Sequence, residues 1–159
     1  MNTFYHYTTG ICLDEIIASG ELQVSVKEWQ SRAPVLWLST NSLWENSVST
    51  PIEVNGKSML VFKKDLLHQL FGLIRFKVPL DDYMQWHDFF PASLKSRRFH
   101  KAMKENALKA GAKTKDWFVS YDNISLEHCK CEKWNGINWM GLRMASIPEQ
   151  EKSPGVNIL

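Results

Sequence analysis

Short apolar runs closed by turn residues dominate this sequence, and few stretches carry the spacing of a helix. Val35-Leu36-Trp37-Leu38-Ser39-Thr40 reads as a buried strand closed by Asn41-Ser42. Thr3–Tyr7, Ser58–Phe62, Leu73–Val78 and Trp117–Tyr121 have the same character, the last ending at the Asp122-Asn123 turn. Glu127–Lys133 and Asn138–Arg143 flank Asn135-Gly136, a dipeptide that suits the positive-φ turn of a β-hairpin. Leu13, Ile16 and Ile17 fall at helical spacing after the Thr8-Thr9-Gly10 break, with Gly20 where a C-terminal cap belongs. Lys64–Phe71 suits a short helix. Ser93 suits the N-cap of a longer one that carries Leu94, Phe99, Ala102, Met103 and Ala110 and ends near Gly111. Such a pattern predicts a mixed α+β domain with antiparallel sheets and a few helices. Asp81 to Pro91 is aromatic and without periodicity, so it reads either as a core plug or as a substrate loop.

The chain has 159 residues, 44% hydrophobic and 23% charged, which leaves room for one domain and excludes disorder or a disulfide scaffold as overall descriptions. The reading is a single domain over residues 1–145, with a polar, Pro-broken tail over 146–159 that is expected to be mobile. No apolar run approaches the roughly 20 residues of a membrane-spanning helix. The first residues lack the basic segment and apolar core of a signal peptide. Three cysteines, Cys12, Cys129 and Cys131, cannot all pair within one chain, so a reducing, cytoplasmic setting is expected. The net charge is only +2, yet eight of the nineteen basic residues lie between Lys95 and Lys115, against the single acid Glu105. That concentration sets up a local positive field able to attract phosphates, although a solvated helix face is the simpler reading.

Three segments present chemistry at the ends of elements. In Tyr5-His6-Tyr7-Thr8-Thr9, alternation separates His6 from Tyr5 and Tyr7 and brings the histidine to a strand end, where it can orient a ligand. A half-buried histidine satisfied by a backbone carbonyl is the simpler alternative. Trp37, Ser39 and Thr40, followed by Trp44 and Glu45, are suited to clamping a flat ring, or else form a core strand with ordinary end hydroxyls. Asp116 precedes the apolar run Trp117-Phe118-Val119-Ser120, where a carboxylate is aimed out of a sheet end or simply caps a loop. His128-Cys129-Lys130-Cys131 has no matching second ligand pair, so no metal is expected.

Taken in order, these segments resemble the small ADP-ribosyltransferase-fold proteins. Phe4-Tyr5-His6-Tyr7-Thr8-Thr9-Gly10, then Leu13, Ile16, Ile17 and Gly20-Glu21-Leu22, resembles the His-x-Thr opening of the RNA 2′-phosphotransferases and the DarT-type DNA ADP-ribosyltransferases. Pro34 to Glu45 resembles the family's second strand. Asp116 to Ser120, with Ile124-Ser125-Leu126, resembles its third motif. The resemblance implies a domain with split antiparallel sheets around an NAD cleft and NAD as co-substrate. It further implies mono-ADP-ribosylation of a macromolecule, protein or nucleic acid, by a bacterial or phage effector such as a toxin or a counter-defence protein. By resemblance His6 and Thr8 hold the NAD ribose or the nicotinamide amide, Trp37 and Ser39 line the nicotinamide side, and Thr9, Thr40, Trp44 and Glu45 complete the cofactor site. His6 also counts among the catalytic residues through orientation, and Asp116 is the catalytic acid where the family usually carries Glu. Glu127 is the alternative acid, and Arg97, Arg98 and Lys101 are the substrate-binding set. Arg75, Arg97 and Arg98 do not match the arginine pattern of the RNA phosphotransferases. The competing expectation is a non-catalytic module of the same fold that binds a nucleotide or nucleic acid by stacking on tryptophans.

Overall fold

The computed structural model describes residues 2–25, 34–89 and 94–144. In chain order the elements are β1 (Phe4–Thr9), α1 (Leu13–Ser19), β2 (Glu21–Leu22), β3 (Leu36–Ser39), β4 (Thr50–Val54), β5 (Lys57–Val61) and α2 (Lys64–Phe71). Then follow β6 (Leu73–Val78), β7 (Met84–Gln85), α3 (Leu94–Ala110), β8 (Trp117–Ser120), β9 (Ile124–Ser125), β10 (Lys130–Trp134) and β11 (Trp139–Gly141). Seven strands form one sheet in the order β11-β10-β6-β1-β3-β8-β7, and β2 with β9 and β4 with β5 form separate two-stranded ribbons. Each of these pairings is antiparallel, and β4–β5 and β10–β11 are hairpins. The fold is an α+β domain.

Register divides the large sheet into two faces. Tyr7 lies opposite Arg75 and Arg75 opposite Glu132, while Tyr5 lies opposite Ser39 and Ser39 opposite Trp117. These side chains therefore share one face. Over β1 and β6 that face is covered by α2 and the β4–β5 ribbon through Tyr5, Tyr7, Trp44, Val61, Leu67 and Leu73. Over β8 it is covered by α3, whose Ala107 packs with Trp86 and Trp117. The opposite face buries Phe4, Leu36, Leu38, Ile74, Phe76 and Cys131 beneath Leu13 and Ile16 of α1 and Leu22 of β2.

The structure departs from the sequence reading in several places. Thr8 and Thr9 do not break β1, because β6 supplies register partners for every residue from Phe4 to Thr9. Helix α1 follows only after a 3-10 turn over Gly10–Cys12. The strand β4 has no counterpart in the sequence reading. Asn55 and Gly56, with φ of 52° and 73°, form the two-residue turn that folds it onto β5. That conformation is costly for most residues and cheap for an Asn-Gly pair. Leu126–His128 forms a 3-10 turn rather than the start of a strand, so β10 begins only at Lys130. Within the aromatic segment 81–91, Trp86 is 1% exposed, stacked on His100 at 4.4 Å and edge-on to Trp117 at 5.3 Å, so this residue is a core plug. The expected N-cap Ser93 and the tail 146–159 lie outside the described residues.

Candidate functional site

Strands β1 and β3 are neighbours, yet Tyr5↔Ser39 is their one paired register position among the described residues. On its other side β1 pairs with β6 along its whole length. The large sheet is therefore split between the later half of β1 and the earlier half of β3. A cleft of about 670 Å³ occupies the split. His6, Thr8 and Thr9 line it from β1, Trp37 and Ser39 from β3, and Cys12, Glu15 and Ser19 from the α1 region. Glu45, Ser47 and Thr50 line it from the segment after β3, and Met103 of α3 and Trp117 complete the wall. The volume lies within the roughly 300–1,000 Å³ of sites that enclose a drug-sized ligand, and both hydroxyls and rings line it.

His6 faces the break in the ladder. Its Nδ1 lies 2.9 Å from the Trp37 carbonyl oxygen, and because a carbonyl can only accept, Nδ1 carries the proton. The simpler sequence reading of this histidine, half-buried and bonded to a backbone carbonyl, matches its place, and its side chain also lines the cleft.

Glu45 is the buried carboxylate of the cleft, only 7% exposed. Ser39 Oγ donates to Oε2 at 2.7 Å, and the Ser47 hydroxyl and backbone N–H donate to Oε1 at 2.8 Å and 3.2 Å. Charge-directed bonds of this kind fix the carboxylate in place. Ser39 Oγ also accepts the Asn41 N–H at 3.1 Å, which ties the end of β3 to the loop that follows.

The remaining expected site residues are dispersed. Asp116 is half-buried at the entrance to β8 and does not line the cleft; its Oδ1 accepts from the Thr40 hydroxyl at 3.4 Å, and its carbonyl from the Thr40 N–H at 2.9 Å. Thr40 is thereby held away from the cleft as well. Glu127 is exposed on the 3-10 turn before β10. Trp44 is 3% exposed and packs behind the sheet, edge-on to Tyr7 at 5.2 Å and stacked over Trp139 at 6.3 Å. Arg97, Arg98 and Lys101 are exposed on α3, the helix that sends Met103 to the cleft wall. Among the described residues, no group of three or more His, Cys, Asp or Glu side chains gathers at metal-binding spacing. Likewise, none of the described helices is long and apolar enough to cross a membrane.

Arg75 has no role in the sequence reading, although an arginine inside the apolar run Leu73–Val78 is itself a signal of a buried polar task. It is 8% exposed, pairs with Glu132 at 2.5 Å, and lies over the rings of Tyr5 at 4.4 Å and Trp139 at 4.6 Å. Burial works against its charge, but the Glu132 carboxylate and the Tyr7 hydroxyl outweigh that and raise its pKa above the ordinary value. Burial likewise pushes the Tyr7 phenol well above its usual range. No protein-family model, curated protein or solved structure matches this chain.

Proposed function

We propose that this chain is an NAD-dependent mono-ADP-ribosyltransferase, of ADP-ribosyltransferase-like fold, that modifies a macromolecule in the cytoplasm. The observation that carries the reading is the split between β1 and β3, which gathers His6, Thr8 and Thr9 with Trp37, Ser39 and Glu45 around one cleft. NAD supplies a nicotinamide–ribose bond whose cleavage builds positive charge on the sugar. Trp37 and Trp117 give the flat walls that hold a ring and exclude water. His6, its Nδ1 proton held by the Trp37 carbonyl, orients the ribose from the cleft wall. Glu45, held by Ser39 and Ser47, is the carboxylate that favours the developing charge. The role assigned to Asp116 by resemblance thus passes to Glu45, because Asp116 is engaged with Thr40 outside the cleft lining.

The basic face of α3, with Arg97, Arg98 and Lys101 exposed, suits a nucleic acid or a nucleic-acid-binding protein as the acceptor, and a bacterial or phage effector suits a transferase of this size. The second reading is a non-catalytic nucleotide- or nucleic-acid-binding module, favoured by the position of Asp116. Incubation with labelled NAD and a cell lysate separates the two. Label that enters a macromolecule with wild type and is lost with Glu45→Gln supports the transferase, and its sensitivity to nuclease or protease gives the acceptor class. A folded protein that neither transfers label nor releases nicotinamide supports the binding module.

A further inference from the structure

Three successive backbone carbonyls just before Glu45 each accept a hydrogen bond from a side chain on a different strand. The Tyr7 hydroxyl of β1 donates to Asn41 O at 2.5 Å, the Arg75 guanidinium of β6 to Ser42 O at 2.5 Å, and the Trp139 indole of β11 to Leu43 O at 2.9 Å. The donors also hold one another. Arg75 lies over Trp139 and pairs with Glu132, its cross-strand neighbour, while the rings of Tyr7 and Trp139 meet at 5.9 Å. Further ties close the loop at both ends: the Thr40 N–H bonds Asp116 O at 2.9 Å, and the Asn46 side chain bonds Gly111 O at 3.1 Å.

Burial of their own side chains does not hold Ser42 and Leu43 in place, since both are exposed, Leu43 to 75%. Loops with exposed side chains are ordinarily among the more mobile parts of a fold. Here the main chain itself is gripped, and the residue that follows, Trp44, packs against both Tyr7 and Trp139. An arginine can serve Glu132 and Ser42 at once because its donors form a planar fork; a lysine offers one point charge and cannot span both. We propose that Arg75, with Tyr7 and Trp139, is a positioning residue that fixes the Glu45 carboxylate in the cleft by clamping the carbonyls of Asn41, Ser42 and Leu43. This role rests on the transferase reading for its consequence in turnover, but the clamp itself is a property of the loop.

The test uses Arg75→Lys, Trp139→Phe and Tyr7→Phe, each alone and combined with Glu45→Gln, in two measurements. The first is amide hydrogen exchange at Ser47 and Val48, whose N–H groups bond the Glu45 carboxylate and carbonyl. Exchange is expected to accelerate by about tenfold or more in each single variant, corresponding to loss of roughly one hydrogen bond. The second is NAD turnover. kcat is expected to fall about tenfold or more with KM little changed, and the loss is expected to vanish in the Glu45→Gln background, as for residues that act as a unit. Tyr7→Phe keeps its ring and loses only the donor, so it remains informative if Arg75→Lys or Trp139→Phe does not fold. Unchanged exchange overturns the clamp whether or not the wild type turns over NAD. A kcat loss that persists undiminished without Glu45 overturns the positioning role. Accelerated exchange in a chain without NAD turnover upholds the clamp and overturns only the transferase reading.

Discussion

Ser39 Oγ donates to the Glu45 carboxylate across 2.7 Å, and this bond joins the last residue of β3 to the loop that turns away from it. Ser39 is also the one β3 residue paired in register with β1, through Tyr5. The place where the split begins and the place where the carboxylate is anchored are thus the same residue. Whatever widens or shifts the split also moves the acid.

The two candidate acids separate cleanly by location. Glu45→Gln is expected to lower NAD turnover by about a hundredfold or more, the scale of losing a fixed electrostatic partner of the transition state. Asp116→Asn, outside the cleft lining, is expected to change it by less than about fivefold, near 1 kcal/mol. Nicotinamide release by both variants, with urea midpoints to confirm folding, checks this. A larger loss in Asp116→Asn than in Glu45→Gln returns the role to Asp116.

Cysteine chemistry reports on the cleft directly. Cys12 lines it, whereas Cys129 and Cys131 are in the core, 9% and 4% exposed. A thiol reagent at neutral pH is expected to modify Cys12 first, and NAD is expected to slow that reaction. Peptide mapping of the modified protein with and without NAD reads both; an unprotected Cys12 removes NAD from the cleft.

Burial pushes the Cys129 and Cys131 thiols up to about 11 from an ordinary 9.0. Well below pH 9 both thiols are protonated whether or not the chain is folded, and they add no pH dependence. As pH rises from about 9 to about 11 the unfolded chain releases these protons first, so it binds fewer protons than the folded one and stability falls. Urea midpoints across that interval for wild type and Cys131→Ala check this. The variant is expected to lose less of its stability, and an identical decline removes the thiol as the cause.

Gly10 is required by close approach rather than by the cleft. A Cβ there lies 2.1 Å from the Phe71 carbonyl oxygen, and the Gly10 N–H already donates to Gly72 O at 3.1 Å. Gly10→Ala forces the end of α2 away from the end of β1 and is expected to cost about 2–3 kcal/mol, the scale of overpacking a tight site. Chemical denaturation measures it; a cost below about 0.5 kcal/mol, the range of an unconstrained surface position, shows that the two segments separate freely.

If α3 recruits a nucleic acid, Arg98→Ala with Lys101→Ala is expected to weaken binding about equally for unrelated sequences. The slope of log affinity against log salt is expected to flatten by about 0.9 for each duplex phosphate that the helix no longer neutralises. Titrations of short duplexes between about 50 and about 200 mM salt read this slope, and an unchanged slope excludes the helix from the interface.

Local chemistry in the sequence determined much of this protein. Asn135-Gly136 does join two strands, Leu73–Val78 is β6 residue for residue, and Lys64–Phe71 is α2. Asn55-Gly56 is equally legible as a hairpin turn, but Pro51 and Glu53 mask the strand before it, which belongs to a two-stranded ribbon with one largely exposed side. His6, Thr8, Thr9, Trp37, Ser39 and Glu45 can be picked out because polar or ring-bearing groups stand within or just after two short strand-like runs, although His6 and Trp37 lie inside β1 and β3 rather than at their ends. Only the tertiary structure decided that Glu45, and neither Asp116 nor Glu127, lines their cleft, and that Arg75 bonds the loop carrying it. Those outcomes depend on strand order and on where pairing between β1 and β3 stops. Register between strands distant in sequence is set by packing on both sheet faces, and no local periodicity records it.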